Sequence, residues 1–399
     1  MQKKKHILVI SQYFYPESFR INDMCIEWVK RGYKVTVLTG IPNYPQGRFY
    51  EGYGYTKRRK ESWNGMEILR IPLIPRGNSS FGMVCNYLSF VVSGFFWKVF
   101  TRVKADYVFM FEVSPMTQAL VGVWYAKKHK IPCYLYVQDL WPDSVEVVTG
   151  IRSKLVLGPI GRMVDYIYKC CDKIFTASQS LAEEIVKRNV SDHKVEFWPQ
   201  YAEEFYRPIR AEHVKQKKKF VITFTGNIGY AQGLDILPRV AELLKQQNSN
   251  VIFRIVGDGR YKKEFESDIK NRNVSEMFEM LGRKPAIKIP EILADSDAAF
   301  LSFADNPLFA KMIPAKLQSY MACGIPIIAS VTGESQRIIE EAECGICCSI
   351  GDTRGLIDSI VKMSQMLEEE KNKMGNRARE YCEEHFNKKT LMDYMERYF

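Results

Sequence analysis

Cysteine is sparse, at 10 of 399 residues, which excludes a small scaffold held by disulfides. No charged and then apolar leader precedes the strand-like residues that begin after Lys5, so a cytosolic protein with reduced thiols is expected. Neither a strict G-x-G-x-x-G nor a P-loop is present. No recognition-helix, zinc-finger or aromatic RNA-binding pattern is present either, and no nucleic-acid partner is expected. Acidic residues are in deficit: 46 Asp and Glu stand against 57 Lys and Arg, a formal net charge of +11. That balance favours an anionic partner such as a nucleotide or a membrane surface. What remains is ordinary for a globular chain, with 46% hydrophobic and 26% charged residues. Disordered, collagenous and multi-spanning membrane chains are thereby excluded.

Two spacings resemble metal ligands, Cys344-x-x-Cys347 and Cys382-x-x-His385. They stand farther apart than the ~12–20 residues usual for a zinc ribbon. Gly345–Ile350 also reads as a buried strand, in which free cysteine acts as a small hydrophobe. No metal is expected.

The chain alternates apolar runs with amphipathic segments. His6–Ser11, Lys34–Thr39, Tyr107–Phe111, Cys133–Val137, Lys173–Ala177 and Val195–Trp198 read as strands buried in a parallel sheet. Helices are expected at about Asn22–Lys30, Gln118–Lys128, Gly161–Cys170 and Ser180–Lys187. After a charged stretch the cycle restarts at Phe220–Thr225 and runs to Gly345–Ile350, with charged helices after Thr353. The fold class is α/β: two doubly wound Rossmann-like domains in tandem, with a ligand expected in a cleft between them. The boundaries are 1–205, a linker at 206–219, and 220–384.

Residues Phe81–Trp97 carry no charge. The run is short of the ~20 residues that span a bilayer, and Asn86, Ser89 and Ser93 interrupt it. A domain helix with a wide apolar face and a helix lying in a membrane interface both fit. Lys57–Lys60, Arg70, Arg76, Lys98, Arg102 and Lys104 flank the run and suit an anionic surface. The 57–104 region is therefore the candidate membrane contact.

Chemistry is expected in the loops after strands. Tyr15-Pro16-Glu17 follows the first strand, and Glu17 is a candidate acid, base or hydroxyl ligand, or else a carboxylate at a helix entry. Asp139, before Trp141-Pro142-Asp143, is the second candidate; Asp143 suits a cap. Tyr15, Pro16 and Trp141 are candidate acceptor contacts. In Gly226-Asn227-Ile228-Gly229-Tyr230-Ala231-Gln232-Gly233, glycines between strand and helix let backbone N–H groups approach a phosphate, although a tight turn fits equally. Gly257-Asp258 and Gly282-Arg283 end two more strands. Lys311 and Lys316 beside the helix opened by Pro314 make a diphosphate site plausible on charge grounds.

The order of these pieces resembles glycosyltransferase family four, of the GT-B fold. It is carried by Thr225-Gly226-Asn227, Ile255–Gly259, Leu281-Gly282, Ala294–Ala298, Pro314-Ala315-Lys316 and Tyr320–Pro326, and in the first half by Tyr15-Pro16-Glu17, Arg31–Thr39, Asn43-Tyr44-Pro45 and Asp139–Asp143. The nearest branch looks like the bacterial O-antigen and capsule enzymes that transfer sugars such as N-acetylfucosamine. The resemblance implies retaining, metal-free transfer from a UDP-sugar to a lipid-linked saccharide at the inner face of the cell membrane, without a cofactor. It implies catalytic roles for Glu17, Asp139 and Lys311. It implies a donor site of Gly226, Asn227, Gly229, Gln232, Gly257, Asp258, Gly282, Arg283, Lys311, Pro314, Lys316, Ser319 and Glu334. It also implies that a last helix, about 385–399, returns to the first domain. Lys311 and Ser319 stand where many relatives carry a pair of glutamates, and Asn227 and Gln232 where many carry arginine and lysine. A nucleotide-sugar epimerase, a phosphorylase of the same architecture and a non-catalytic nucleotide-binding partner are the competing readings.

Overall fold

A computed structural model describes residues 5–77, 79–209 and 219–399. The chain forms two compact units, residues 1–198 together with Phe399, and residues 199–398. The greater part of the expected linker, 210–218, lies outside the described residues.

The first unit runs β1 (His6–Ile10), α1 (Arg20–Lys30), β2 (Lys34–Gly40), β3 (Lys60–Trp63), β4 (Met66–Ile71), α2 (Ser80–Phe100), β5 (Tyr107–Glu112), α3 (Ala119–His129), β6 (Cys133–Val137), α4 (Asp143–Thr149), α5 (Lys154–Cys170), β7 (Lys173–Thr176), α6 (Gln179–Val186) and β8 (Val195–Phe197). Its eight strands lie in the order β3-β4-β2-β1-β5-β6-β7-β8. All are parallel except β3, which pairs antiparallel with β4. Every residue of β1 and β6 is buried, as covering both faces of a parallel sheet requires. The chain order reverses direction between β1 and β5, and the crevice outside the strand ends at such a point is where open sheets hold ligands.

Two departures from the sequence reading stand out. The β3–β4 hairpin was not expected, although Asn64-Gly65, with φ of 46° and 79°, is a strong two-residue hairpin signal. Helix α5 begins at Lys154 rather than near Gly161. Gly158 and Pro159 read as breakers, yet the helix runs through both, with Pro159 at its sixth position, where it leaves the Leu155 carbonyl without its intrahelical donor.

The second unit runs β9 (Phe220–Asn227), α7 (Ile236–Gln246), β10 (Val251–Asp258), α8 (Lys262–Asn271), β11 (Phe278–Gly282), α9 (Ile289–Ala294), β12 (Ala298–Ser302), α10 (Pro307–Ala310), α11 (Ala315–Cys323), β13 (Ile327–Ser330), α12 (Glu334–Glu341), β14 (Gly345–Cys348), α13 (Thr353–Gln365), α14 (Glu368–His385) and α15 (Lys388–Met395). Its six strands, all parallel, lie in the order β11-β10-β9-β12-β13-β14, with the reversal between β9 and β12. Two apolar layers enclose the sheet. One gathers Leu237, Leu244, Phe253 and Phe265, the other Leu317, Met321, Ile339 and Phe386. Cys344 and Cys382 lie in the second layer. Among the described residues all ten cysteines are free, and no three His, Cys, Asp or Glu side chains are grouped to hold a metal. Helices α14 and α15 belong to this unit, and Phe399 alone is counted with the first, its ring against Trp28, Tyr33, Tyr107 and Tyr134.

Candidate active site

In the first unit the loops after β1, β5 and β6 bring side chains to the carboxyl edge of the sheet. Glu17 is buried, 3% exposed, and both its oxygens accept backbone N–H groups. Asn43 and Tyr44 donate at 2.7 and 2.6 Å, and Phe14 at 3.3 Å. Burial pushes its carboxyl up to about 7 against the pull of those donors. The side chain therefore ties the loop after β1 to the loop after β2, and does not sit at the entry of α1. Tyr15 stacks on Trp63 at 4.3 Å, and Arg70 donates to its carbonyl. Tyr15 is thus directed to the β3–β4 hairpin, with Pro16 half-buried beside it.

Asp139 and Trp141 meet a residue the sequence reading missed. Glu112, the last residue of β5, is fully buried. Its carboxylate accepts the Ser114 N–H at 3.0 Å and the Asp139 N–H at 3.3 Å. Trp141 donates its indole N–H to the Ser114 hydroxyl at 3.0 Å. Ser114 has a φ of 55°, a left-handed conformation that costs a non-glycine residue on the order of 1 kcal/mol and is held here by these bonds. Burial, and then the charge of Asp139, raise the Glu112 carboxyl well above the carboxylate range. Burial raises Asp139 too, opposed by the Ser114 hydroxyl. The pair does not readily carry two charges. Around it stand aromatic rings and the Arg76 guanidinium. Arg76 lies over the rings of Tyr44 and Tyr87, at 5.4 and 6.0 Å, and reaches the Tyr13 hydroxyl. Tyr87 lies 6.4 Å from Trp141. Aromatic faces, a guanidinium and a carboxyl pair that can take up a proton suit a saccharide hydroxyl.

In the second unit the edge is mostly backbone. Gly226 pairs with Gly257, and Asn227 with Asp258, where β9 and β10 end. A Cβ on Gly257 would land on the Gly226 carbonyl oxygen. A Cβ on Gly259 would strike the Ile228 carbonyl, and one on Gly233 the Phe303 carbonyl. Close approach of bare backbone is what these glycines supply. Gly229 lies against the Asn227 amide. The loop after β9 is tied across the reversal point by Ser302, whose hydroxyl donates to the Gln232 carbonyl at 2.6 Å, and by Ala304, whose N–H donates to Ala231.

Lys316 rises into this edge from α11. Its position is set one turn on by Tyr320, whose hydroxyl meets the Thr225 N–H at 2.9 Å. Residues four apart share a helix face, so the bond that docks Tyr320 under β9 brings Lys316 under Gly226. The amine donates to the Gln232 side-chain carbonyl and lies 4.1 Å from the centre of the Phe224 ring. No carboxylate faces it among the described residues, and its enclosure pulls it down to about 7. An arriving anion would recharge it.

The remaining donor candidates are less gathered. Pro314 caps α11 in extended conformation. The Ser319 hydroxyl turns back to the Ala315 carbonyl at 3.0 Å. Glu334 is buried and paired with Arg337 at 3.0 Å. Gly333 packs on the Ala310 carbonyl and Ser335 bonds the Met312 carbonyl, so Glu334 and half-buried Lys311 are neighbours. Gly282, φ 65°, and exposed Arg283 end β11, two strands and about 10 Å from β9 along the same edge.

The sheet orders and the two reversal-point edges define a GT-B type enzyme. Comparison with known proteins agrees. Residues 18–200 match the glycosyl transferase 4-like domain, and residues 206–381 match the glycosyl transferases group 1. The two matches follow one another along the chain, and the chain is an enzyme of the glycosyltransferase class. It is 25% identical over 391 residues to the putative colanic acid biosynthesis glycosyl transferase WcaI of Escherichia coli, covering 92% of each chain. Among solved structures it resembles sucrose-phosphate synthase of Thermosynechococcus elongatus, with a TM-score of 0.78, 14% identity and 99% and 98% of the two chains covered. It also resembles HepE of Anabaena, solved with UDP and glucose, with a TM-score of 0.72, 14% identity and 98% of each chain covered.

Proposed function

We propose that the enzyme transfers a sugar from a UDP-sugar to a lipid-linked saccharide in surface-polysaccharide biosynthesis, with retention and without a metal. The observation that carries the reading is Lys316, an amine enclosed under the bare Gly226–Gly257 backbone with no carboxylate facing it. That arrangement suits a diphosphate, whose growing charge on departure the ammonium and backbone N–H groups stabilise. The UDP seen in HepE and the colanic acid role in the name of WcaI support the donor and the pathway class. On this reading Asp139, with Arg76 and the surrounding rings, holds the acceptor hydroxyl. An N-acetylated amino or deoxyamino sugar is the donor class to test first.

The lipid-linked acceptor is supported by α2. Its buried side includes Asn86, while its outward stripe holds Phe81, Val84, Leu88, Val92, Phe96 and Phe100, the first and last 79% and 77% exposed. It is also long and apolar enough to cross a membrane by length and composition. An apolar stripe facing outward inverts the usual order for a helix in water. We read α2 as lying in the cytoplasmic face of the membrane, the enzyme being peripheral there. The test is turnover of a panel of UDP-sugars with polyprenyl-diphosphate saccharides in chelator, with the product anomer read by NMR. A retained anomer formed from one UDP-sugar supports the reading. Failure of every UDP-sugar, or turnover only after a divalent metal is restored, refutes it.

A further inference from the structure

Helix α2 is not the sole apolar element exposed on the first unit. Helix α5 is anchored over its second half, where Val164, Ile167 and Tyr168 are buried. Arg188 pins it at Gly161 and Asp165, with bonds of 2.9 Å to each. Ahead of that clamp, about two turns of helix have no buried residue from Ile151 to Ile160. Leu155 is 89% exposed, and Ile151 and Val156 are exposed too. A leucine so placed forgoes the stabilisation that burying its side chain would bring.

Charge and position say what covers this tip. Between Glu146 and Asp165 the charged residues are Arg152, Lys154 and Arg162, with no carboxylate. α3 likewise holds Lys127 and Lys128 and no acid, and α2 holds Lys98 and no acid. The three helices stand side by side. Phe95 of α2 meets Trp124 of α3 at 5.8 Å, and Lys127 of α3 lies over Tyr166 of α5 at 5.4 Å. Both α2 and α5 start at the carboxyl edge of the sheet, because each follows a parallel strand and precedes the next. Phe81 and Leu155 are therefore on the same edge as Asp139 and Trp141, about 20 Å apart across α3 at ordinary helix spacing.

We propose that the tip of α5, residues Ile151–Ile160, is a second lipid-inserting element for an anionic bilayer. With the first turn of α2 it straddles the acceptor site, so that a lipid-borne saccharide reaches Asp139 between two points of insertion. This rests on the membrane-bound acceptor proposed above. Apolar side chains supply depth, and Lys154 and Arg162 supply attraction to anionic headgroups, Arg152 being paired with Glu146 at 3.3 Å.

The test uses the full chain with vesicles of phosphatidylglycerol and phosphatidylethanolamine, and with phosphatidylcholine alone. Flotation compares the wild type, Leu155→Ser/Val156→Ser and Phe81→Ser/Leu88→Ser, with unfolding temperatures confirming intact folds. Amide hydrogen exchange follows residues 151–160. The proposal expects those amides to gain protection with anionic vesicles only, and each double variant to lose about tenfold or more in partitioning. If the wild type binds, the α2 variant fails and the α5 variant binds normally with unprotected amides, the second element is overturned while the membrane reading stands. A wild type that ignores all vesicles overturns both. Lipid-free self-association abolished by Leu155→Ser would assign the tip to a second copy of the chain, and overturn the proposal too.

Discussion

The two sheets present different material at their carboxyl edges. At the reversal point of the first sheet the groups presented are side chains: Asp139 above buried Glu112, with Trp141, Tyr87 and Arg76 around them. At the same point of the second sheet they are glycine backbone and one amine. The electrostatics run in opposite senses. Burial keeps the first unit's acids protonated to unusually high pH and keeps the second unit's amine neutral to unusually low pH. The first edge thus suits a neutral hydroxyl, held by acids that do not readily carry two charges. The second suits an anion that brings its own charge. One architecture, used twice, is tuned by what each loop leaves out.

The comparison can be broken at several points. The largest effect is expected from Gly257→Ala, whose methyl meets the Gly226 carbonyl. Overpacking of this kind costs about 1–3 kcal/mol. Thermal unfolding should show a less stable protein, and UDP should no longer raise its unfolding temperature. Next is Lys316→Met. Loss of one charge-assisted bond of about 1.5–3 kcal/mol should weaken UDP roughly 10- to 150-fold by calorimetry. Without ligand the sign reverses. The amine's folded value, about 7, lies below its ordinary 10.5, so the unfolded chain holds more protons between those values. Wild-type stability should rise with pH across that window, and the variant should not follow.

Two smaller effects belong to the first unit. Glu112→Gln replaces the acid that burial and the Asp139 charge hold protonated with a neutral isostere. The rising limb of kcat/KM should keep its pH with UDP affinity unchanged, and a limb moved to lower pH would make Glu112 a charged neighbour of Asp139 instead. Glu17→Gln should change stability alone. The Glu17 value is raised from 4.5 to about 7, so its contribution is full below 4.5 and lost as pH rises through 7. Wild-type unfolding free energy should fall by on the order of 1–3 kcal/mol across that interval, and the variant's should fall less.

The same contrast explains what the sequence made legible. Apolar runs mark both sheets, because strands covered on two faces have little choice of residue, and in the second sheet glycines stand at the ends of β9, β10 and β11. The second edge was largely readable for that reason: Gly226, Gly257 and Lys316 are local to strand ends and a helix start. The first edge was not. Glu112 closes the run Tyr107–Phe111 and looks like its polar boundary, and only the pairing of β5 with β6 puts it beneath Asp139. Arg76 and Tyr87 reach the site from between β4 and β5, at separations no local pattern reports. The four-residue interval from Lys316 to Tyr320 was available in the sequence, but its meaning depends on the bond to Thr225.

The most direct measurement is calorimetric titration of UDP at pH 8 in chelator, in buffers of different ionisation enthalpy, on the wild type, Lys316→Met and Asp139→Asn. The account predicts that UDP binds the wild type with uptake of a proton, as the Lys316 amine regains its charge. It predicts the same uptake in Asp139→Asn, and neither the affinity nor the uptake in Lys316→Met. Tight binding by Lys316→Met, or binding lost with Asp139→Asn, would contradict the division of labour between the two edges.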